Sequence, residues 1–133
     1  MRLAWIVAAT VCSSSGAATA QMVTGNDLLS ACEGIAANTV QGGFCLGYMV
    51  GVNEGLKLGA TLPFIISGDT RPPEEMDVVV SNVLGVCLPT GAEYQQQVDV
   101  TIQYLQAHPE TRHEPARSLM LQAFQEAFPC SSP

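Results

Sequence analysis

The stretch PARSLMLQAFQEAFPC, residues 115–130, decides the fold class. Ala116, Leu119, Met120, Ala123, Phe124 and Ala127 recur at i, i+3, i+4, i+7, i+8 and i+11, which puts them on one face of an α-helix. Pro115 suits a first helical position, where no backbone N–H is needed. Pro129 stops the helix, and Cys130 follows just outside it.

Working back from this helix, the same period recurs. Tyr94, Val98, Ile102 and Leu105 share a face, with Gln95, Gln96, Asp99 and Gln103 on the others. Thr90-Gly91-Ala92-Glu93 reads as a capping box for that helix, and His108-Pro109 ends it. Near the start of the domain, Thr24 or Asn26 can cap a short helix with Asp27 in its first turn, and Gly34 can close it. Gln41-Gly42-Gly43 reads as the turn into a second helix, whose face carries Phe44, Cys45, Tyr48, Met49, Val52 and Leu56. The segment from 58 to 86 is the least regular. Gly68 to Pro73 is a turn, Glu74-Glu75 opens a short helix, and Met76 to Val86 fits helix or strand. The whole segment reads as a long decorated loop. The expected architecture is all-α, a small disulfide-braced bundle of four to five helices.

Glycines mark the second helix. Gly43, Gly47, Gly51, Gly55 and Gly59 repeat every fourth residue, each costing about 1 kcal/mol relative to Ala in a helix interior. The expectation is tight packing of another helix against this groove. A homodimer face and a weak helix or Gly-rich strand are the competing readings. A membrane-buried version is excluded by Asn53, Glu54 and Lys57.

At the N-terminus, Arg2, the apolar run Leu3 to Val11 and the A-x-A pattern Ala18-Thr19-Ala20 form a signal peptide, cleaved after Ala20. Bulky Val11 before Cys12 argues against a lipid anchor there. Residues 21–133 are then a single exported domain, expected in the periplasm. Nothing later is long and apolar enough for a membrane span.

Cleavage leaves four cysteines, Cys32, Cys45, Cys87 and Cys130, an even number suited to an oxidising compartment. Their spacings of 13, 42 and 43 residues contain no zinc-knuckle pair. If consecutive helices run antiparallel, the end of the first helix brings Cys32 beside Cys45. The ends of the last two bring Cys87 beside Cys130. The other two pairings stay open on sequence grounds.

Composition narrows function. The chain is 47% hydrophobic and 13% charged, with 12 acidic against 5 basic residues. Five bases cannot build the clustered cationic surface that nucleic acid requires. The only histidines, His108 and His113, lie five apart rather than at the i, i+4 spacing of paired metal ligands. His113 with Glu114 can be written as an acid–base pair. The simpler reading is a polar turn in which His108, Glu110, Arg112, His113 and Glu114 cap helix ends and pair with one another. Ser118 has no evident base. No catalytic residue, metal or cofactor is expected, and the chain is not read as an enzyme.

Four segments in order resemble a known family. They are Cys45-Leu46-Gly47-Tyr48-Met49-Val50-Gly51-Val52, Cys87-Leu88-Pro89-Thr90-Gly91, Tyr104 through His113, and Ala127-Phe128-Pro129-Cys130. They are similar to the successive motifs of the Rap/Tai immunity proteins, and the resemblance runs from Asp27 to Cys130. It implies a periplasmic, mostly helical, disulfide-containing protein that protects against a peptidoglycan amidase delivered by the type VI secretion system. The stretch from Ala60 to Val86 is longer than the connection usual in that family. The resulting expectation is a binding protein that blocks a secreted amidase at its active site. Contacts are expected on the His108–Glu114 turn or the loop around Gly68 to Glu75. A periplasmic chaperone or an envelope-associated binder without a toxin partner would share the export signal and helical content.

Overall fold

Helix α1, Gly25–Cys32, begins with a reciprocal cap. Thr24 Oγ1 accepts from the Asp27 N–H at 3.3 Å, while Asp27 Oδ2 accepts from the Thr24 N–H at 2.9 Å. The computed structural model describes residues 21–130; the signal-peptide reading falls on residues 1–20, outside them. Four further helices follow: α2, Val40–Ile66; α3, Pro73–Leu84; α4, Tyr94–Ala107; and α5, Ala116–Ala127. No strand is present among the described residues, only two isolated bridges, Thr24 with Pro115 and Val86 with Pro129.

The core is drawn from α1, the first half of α2, α4 and α5. Leu28, Cys45, Leu105, Leu119 and Met120 are fully buried at its centre, with Met49, Val98 and Phe124 around them. Disulfides staple both ends of this group. Cys32 and Cys45 join at 2.03 Å where α1 turns into α2, and Cys87 and Cys130 join at 2.07 Å where the chain enters and leaves the α4–α5 pair. These are the pairs that antiparallel succession proposes. Beside the second bridge, the Cys87 N–H donates to the Phe128 carbonyl at 2.8 Å.

Several sequence expectations are corrected. Gln41-Gly42-Gly43 is not a turn: Thr39 caps α2, its Oγ1 accepting from the Gly42 N–H at 3.2 Å, so both glycines are helical. Thr90 does not cap α4. The Ala92 N–H donates to the Pro89 carbonyl at 3.0 Å and Gly91 has φ +89°, so residues 89–92 form a turn and Glu93 occupies the cap position. The segment 58–86 is not a long loop. It is mostly helix, because α2 runs through Pro63 for 27 residues and α3 opens on Pro73 as a first helical residue.

The largest correction concerns the glycine series. A Cβ built on Gly43, Gly47, Gly51, Gly55 or Gly59 meets nothing within 4 Å, and all five face solvent. No helix of the same chain packs on them. Within α2 the glycine that does permit a close approach is Gly42, where a Cβ would stand 2.7 Å from the Gly34 carbonyl oxygen and 2.8 Å from Ile35 Cα.

Candidate functional site

The turn from His108 to Glu114 braces the fold from within. Arg112 donates from Nε to the Leu105 carbonyl and from Nη2 to the Gln106 carbonyl at 3.0 Å, satisfying acceptors that the end of α4 leaves free. His108 stacks on Tyr104, ring centroids 4.2 Å apart, with Nδ1 2.9 Å from the Tyr104 carbonyl oxygen. Backbone carbonyls of the turn also hold α1. The Asn26 N–H donates to Arg112 at 3.0 Å and the Gly25 N–H to Glu114 at 3.1 Å. Gly25 lies so close that an added Cβ would stand 3.1 Å from Arg112 Cα. Glu110 and His113 face solvent. Glu114 takes part in the brace through its backbone, and no hydrogen bond joins the His113 and Glu114 side chains.

The second surface is one the sequence does not reveal as such. Beyond Asn53, α2 contributes no buried apolar side chain, and α3 contributes only Val80. The distal half of α2 and α3 thus form a two-helix arm outside the core. Its connection, residues 67–72, holds the single ion pair among the described residues. Arg71 Nη2 lies 2.7 Å from Asp69 Oδ2, and Arg71 N–H and Nε each donate to Asp69 Oδ1 at 3.0 Å. These hydrogen bonds hold the Asp69 carboxyl below its ordinary value. The guanidinium also sits 5.5 Å from the Phe64 ring centroid, which fixes the tip to α2. Ile65 and Ile66 project beside it, 57% and 82% exposed.

Where the arm meets the core there is a cleft of about 230 Å³. Leu56, Val80, Leu84, Val86, Leu121 and Phe124 supply its apolar walls, and Asn53, Lys57, Thr61, Asp77 and Ser81 its polar ones. Asn53 is held from behind, donating through Nδ2 to Gln97 Oε1 at 3.3 Å. Gln125 ties α5 to the arm by donating to the Leu84 carbonyl at 2.8 Å.

Of the residues singled out from the sequence, the four cysteines come together in pairs, and His108, Arg112 and the Glu114 backbone form a brace from which Glu110 and His113 point away. The glycines of α2 face away from both. Among the described residues, no group of three or more His, Cys, Asp or Glu is disposed to hold a metal ion, and no helix is long and apolar enough to cross a membrane. The arm could have been sought from the two prolines at 72 and 73 followed by Glu74-Glu75, which start a helix far from any core periodicity.

No curated protein and no solved structure matches the chain. The sequence model of one family does, over residues 24–130, from the capping threonine of α1 to the cysteine after α5. All five helices and both disulfides lie within that match, and by it the chain belongs to the Rap1a immunity proteins.

Proposed function

We propose that this immunity protein is exported, cleaved after Ala20, and inhibits in the periplasm a peptidoglycan amidase effector of the type VI secretion system. It does so by binding, with no reaction of its own, and it blocks the effector's active site with the arm formed by α2 and α3. Family membership supports a secreted effector as the partner. The observation that carries the placement is the arm itself: a projecting pair of helices with two exposed isoleucines at the tip, based on a doubly stapled core. A tip already ordered by the Asp69–Arg71 pair loses little conformational freedom on entering a cleft, which favours affinity. The acidic balance, 12 acidic against 5 basic residues, would speed encounter with a basic effector surface.

The test is an inhibition assay with the oxidised protein and the amidase encoded beside it, followed by release of soluble peptidoglycan fragments. Ile66→Glu should weaken inhibition at least tenfold with the melting temperature unchanged, whereas His113→Ala and Glu110→Lys should leave inhibition intact. Failure of the unaltered protein to bind or inhibit any adjacent amidase would overturn the reading. Full inhibition by Ile66→Glu would remove the arm from it.

A further inference from the structure

The cleft between the arm and the core carries three kinds of group, sorted by depth. Asn53, Val80 and Phe124 are its most buried lining residues, 8%, 5% and 3% exposed. Half-buried Leu84 and Leu121 form its sides, and exposed Lys57 from α2 and Asp77 from α3 stand at its mouth. At about 230 Å³ the space falls short of the roughly 300–1,000 Å³ that encloses a drug-sized ligand. It suits a molecule of one amino acid's size.

Asn53 sets the chemistry of the inner end. A carboxamide offers two N–H donors and an oxygen with two lone pairs. Asn53 uses one donor on Gln97 Oε1, and nothing among the described residues donates to its Oδ1. No sealed side-chain polar atom among those residues lacks a partner, so this oxygen opens onto the cleft that Asn53 lines. An occupant reaching this depth has to bring a hydrogen-bond donor, because an unmatched buried oxygen is costly. Leu84, Leu121 and Phe124 require that the rest of it be apolar. Among amino-acid side chains, tyrosine alone joins a large apolar body to a neutral donor at its far end; tryptophan carries its N–H on the flank of the ring.

The mouth supplies the second half of the match. Lys57 is the only lysine of the chain, and among the described residues neither it nor Asp77 takes part in an ion pair. A free amino acid presents one carboxylate and one ammonium, the complement of these two groups. We infer that the cleft binds a free aromatic hydroxy amino acid, tyrosine or a close analogue, with its ring inward. The phenol donates to Asn53 Oδ1, and the ring lies among Leu84, Leu121 and Phe124. The carboxylate meets Lys57 and the ammonium meets Asp77. Exposed ion pairs are weak one by one. The hydroxyl therefore gives the discrimination, since an analogue without it leaves Oδ1 unmatched. Ile65 at the arm tip stands twelve residues, about 18 Å, further along α2 than Asn53, so this site is separate from the proposed effector contact.

Chemical-shift titration of the oxidised, exported protein tests the site. L-tyrosine should bind saturably at millimolar concentration. L-phenylalanine, which lacks the hydroxyl, and N-acetyl-L-tyrosinamide, which lacks both charges, should each bind about tenfold more weakly. Lys57→Gln and Asp77→Asn should weaken L-tyrosine while leaving the melting temperature and the affinity for N-acetyl-L-tyrosinamide unchanged. In Asn53→Leu the preference for tyrosine over phenylalanine should vanish; if that variant does not fold, the two mouth variants carry the test. No saturable binding of L-tyrosine, or equal binding of L-phenylalanine, would overturn the inference. Equal binding of N-acetyl-L-tyrosinamide would overturn it too, and would assign the cleft to a tyrosine side chain within a polypeptide.

Discussion

The guanidinium of Arg112 donates to the main-chain carbonyl of Leu105, seven residues earlier, and so closes the C-terminal end of α4 from the following turn. A charged donor on otherwise free helix carbonyls is worth more than a neutral hydrogen bond, about 1.5–3 kcal/mol before solvent weakens it. Arg112→Glu should therefore lower stability by about 1–2 kcal/mol, because it removes the donor and adds a negative charge to the negative end of α4. Chemical denaturation measures this. Loss of effector binding at full stability would instead make the residue an interface contact.

Asn53 and Gln97 form a buried pair linking α2 to α4. Either single change to an apolar residue leaves a polar group without its partner, at about 1–3 kcal/mol. Asn53→Leu and Gln97→Leu should each destabilise, and the double variant should lose clearly less than their sum. A double-mutant cycle with no coupling would show that the pair contributes nothing.

The glycines of α2 divide into two kinds. Gly42→Ala pushes a methyl group into the Gly34–Ile35 backbone and should lower the melting temperature. Gly59→Ala meets open space, so it should raise stability by about 0.5–1 kcal/mol through the unfolded chain's lost freedom. Thermal melts of the two variants should move in opposite directions.

The two bridges close loops with sequence separations of 13 and 43 residues. In the chain-entropy view these are worth about 3 and about 4 kcal/mol. Changing Cys87 and Cys130 together to Ser should therefore cost more than changing Cys32 and Cys45 together, as read from urea midpoints. A reversed order would mean that native-state packing, rather than loop length, sets their contributions.

Asp27 ties stability to acid. Hydrogen bonds from the Thr24 hydroxyl and Thr24 N–H hold its carboxyl below the ordinary value of 3.8. A carboxyl lowered in the folded state stabilises above its unfolded pKa, and that contribution disappears as the pH falls through the folded value. Asp27→Asn should thus lose stability at neutral pH and show a shallower decline than the unaltered protein below pH about 3.8. Parallel melting curves across that range would exclude the cap as the source.

How much of this was legible in the sequence differs by element. Helix α5 was read in full, because its Ala116–Ala127 face is buried and its far side polar, which is what a 3.6-residue period reports. The start of α1 was legible for a similar reason, since its signals lie within one turn, although the sequence left Thr24 and Asn26 both open as the cap and the structure selects Thr24. The outer half of α2 was not. Its half-buried residues, such as Leu56 and Phe64, and its exposed ones, such as Leu58 and Ile65, are alike apolar, so no period distinguishes them, and Pro63 reads as a break although the helix continues through it. Thr90 misled because a left-handed Gly91 sends the chain into a turn before the helix begins. The disulfide pairing followed from helix order, while the arm and the cleft beneath it depend on where α3 lies in space, which no local spacing encodes.

The pairing of the chain's two ends sets the order in which the native structure can be assembled. Helix α1 is eight residues long, too short to persist alone in water. Its C-terminal end is stapled to α2 through Cys32–Cys45, but what holds its N-terminal end comes late in the chain: the carbonyls of Arg112 and Glu114, the bridge from Thr24 to Pro115, and the Ala116 N–H donating to Val23 at 2.9 Å. Cys87 likewise waits for Cys130. A chain delivered from its N-terminus therefore cannot seat the start of α1 before residues 112–116 have followed. The second staple can close only after Cys130, 43 residues beyond Cys87, has been delivered, so the two ends of the fold are completed together and last.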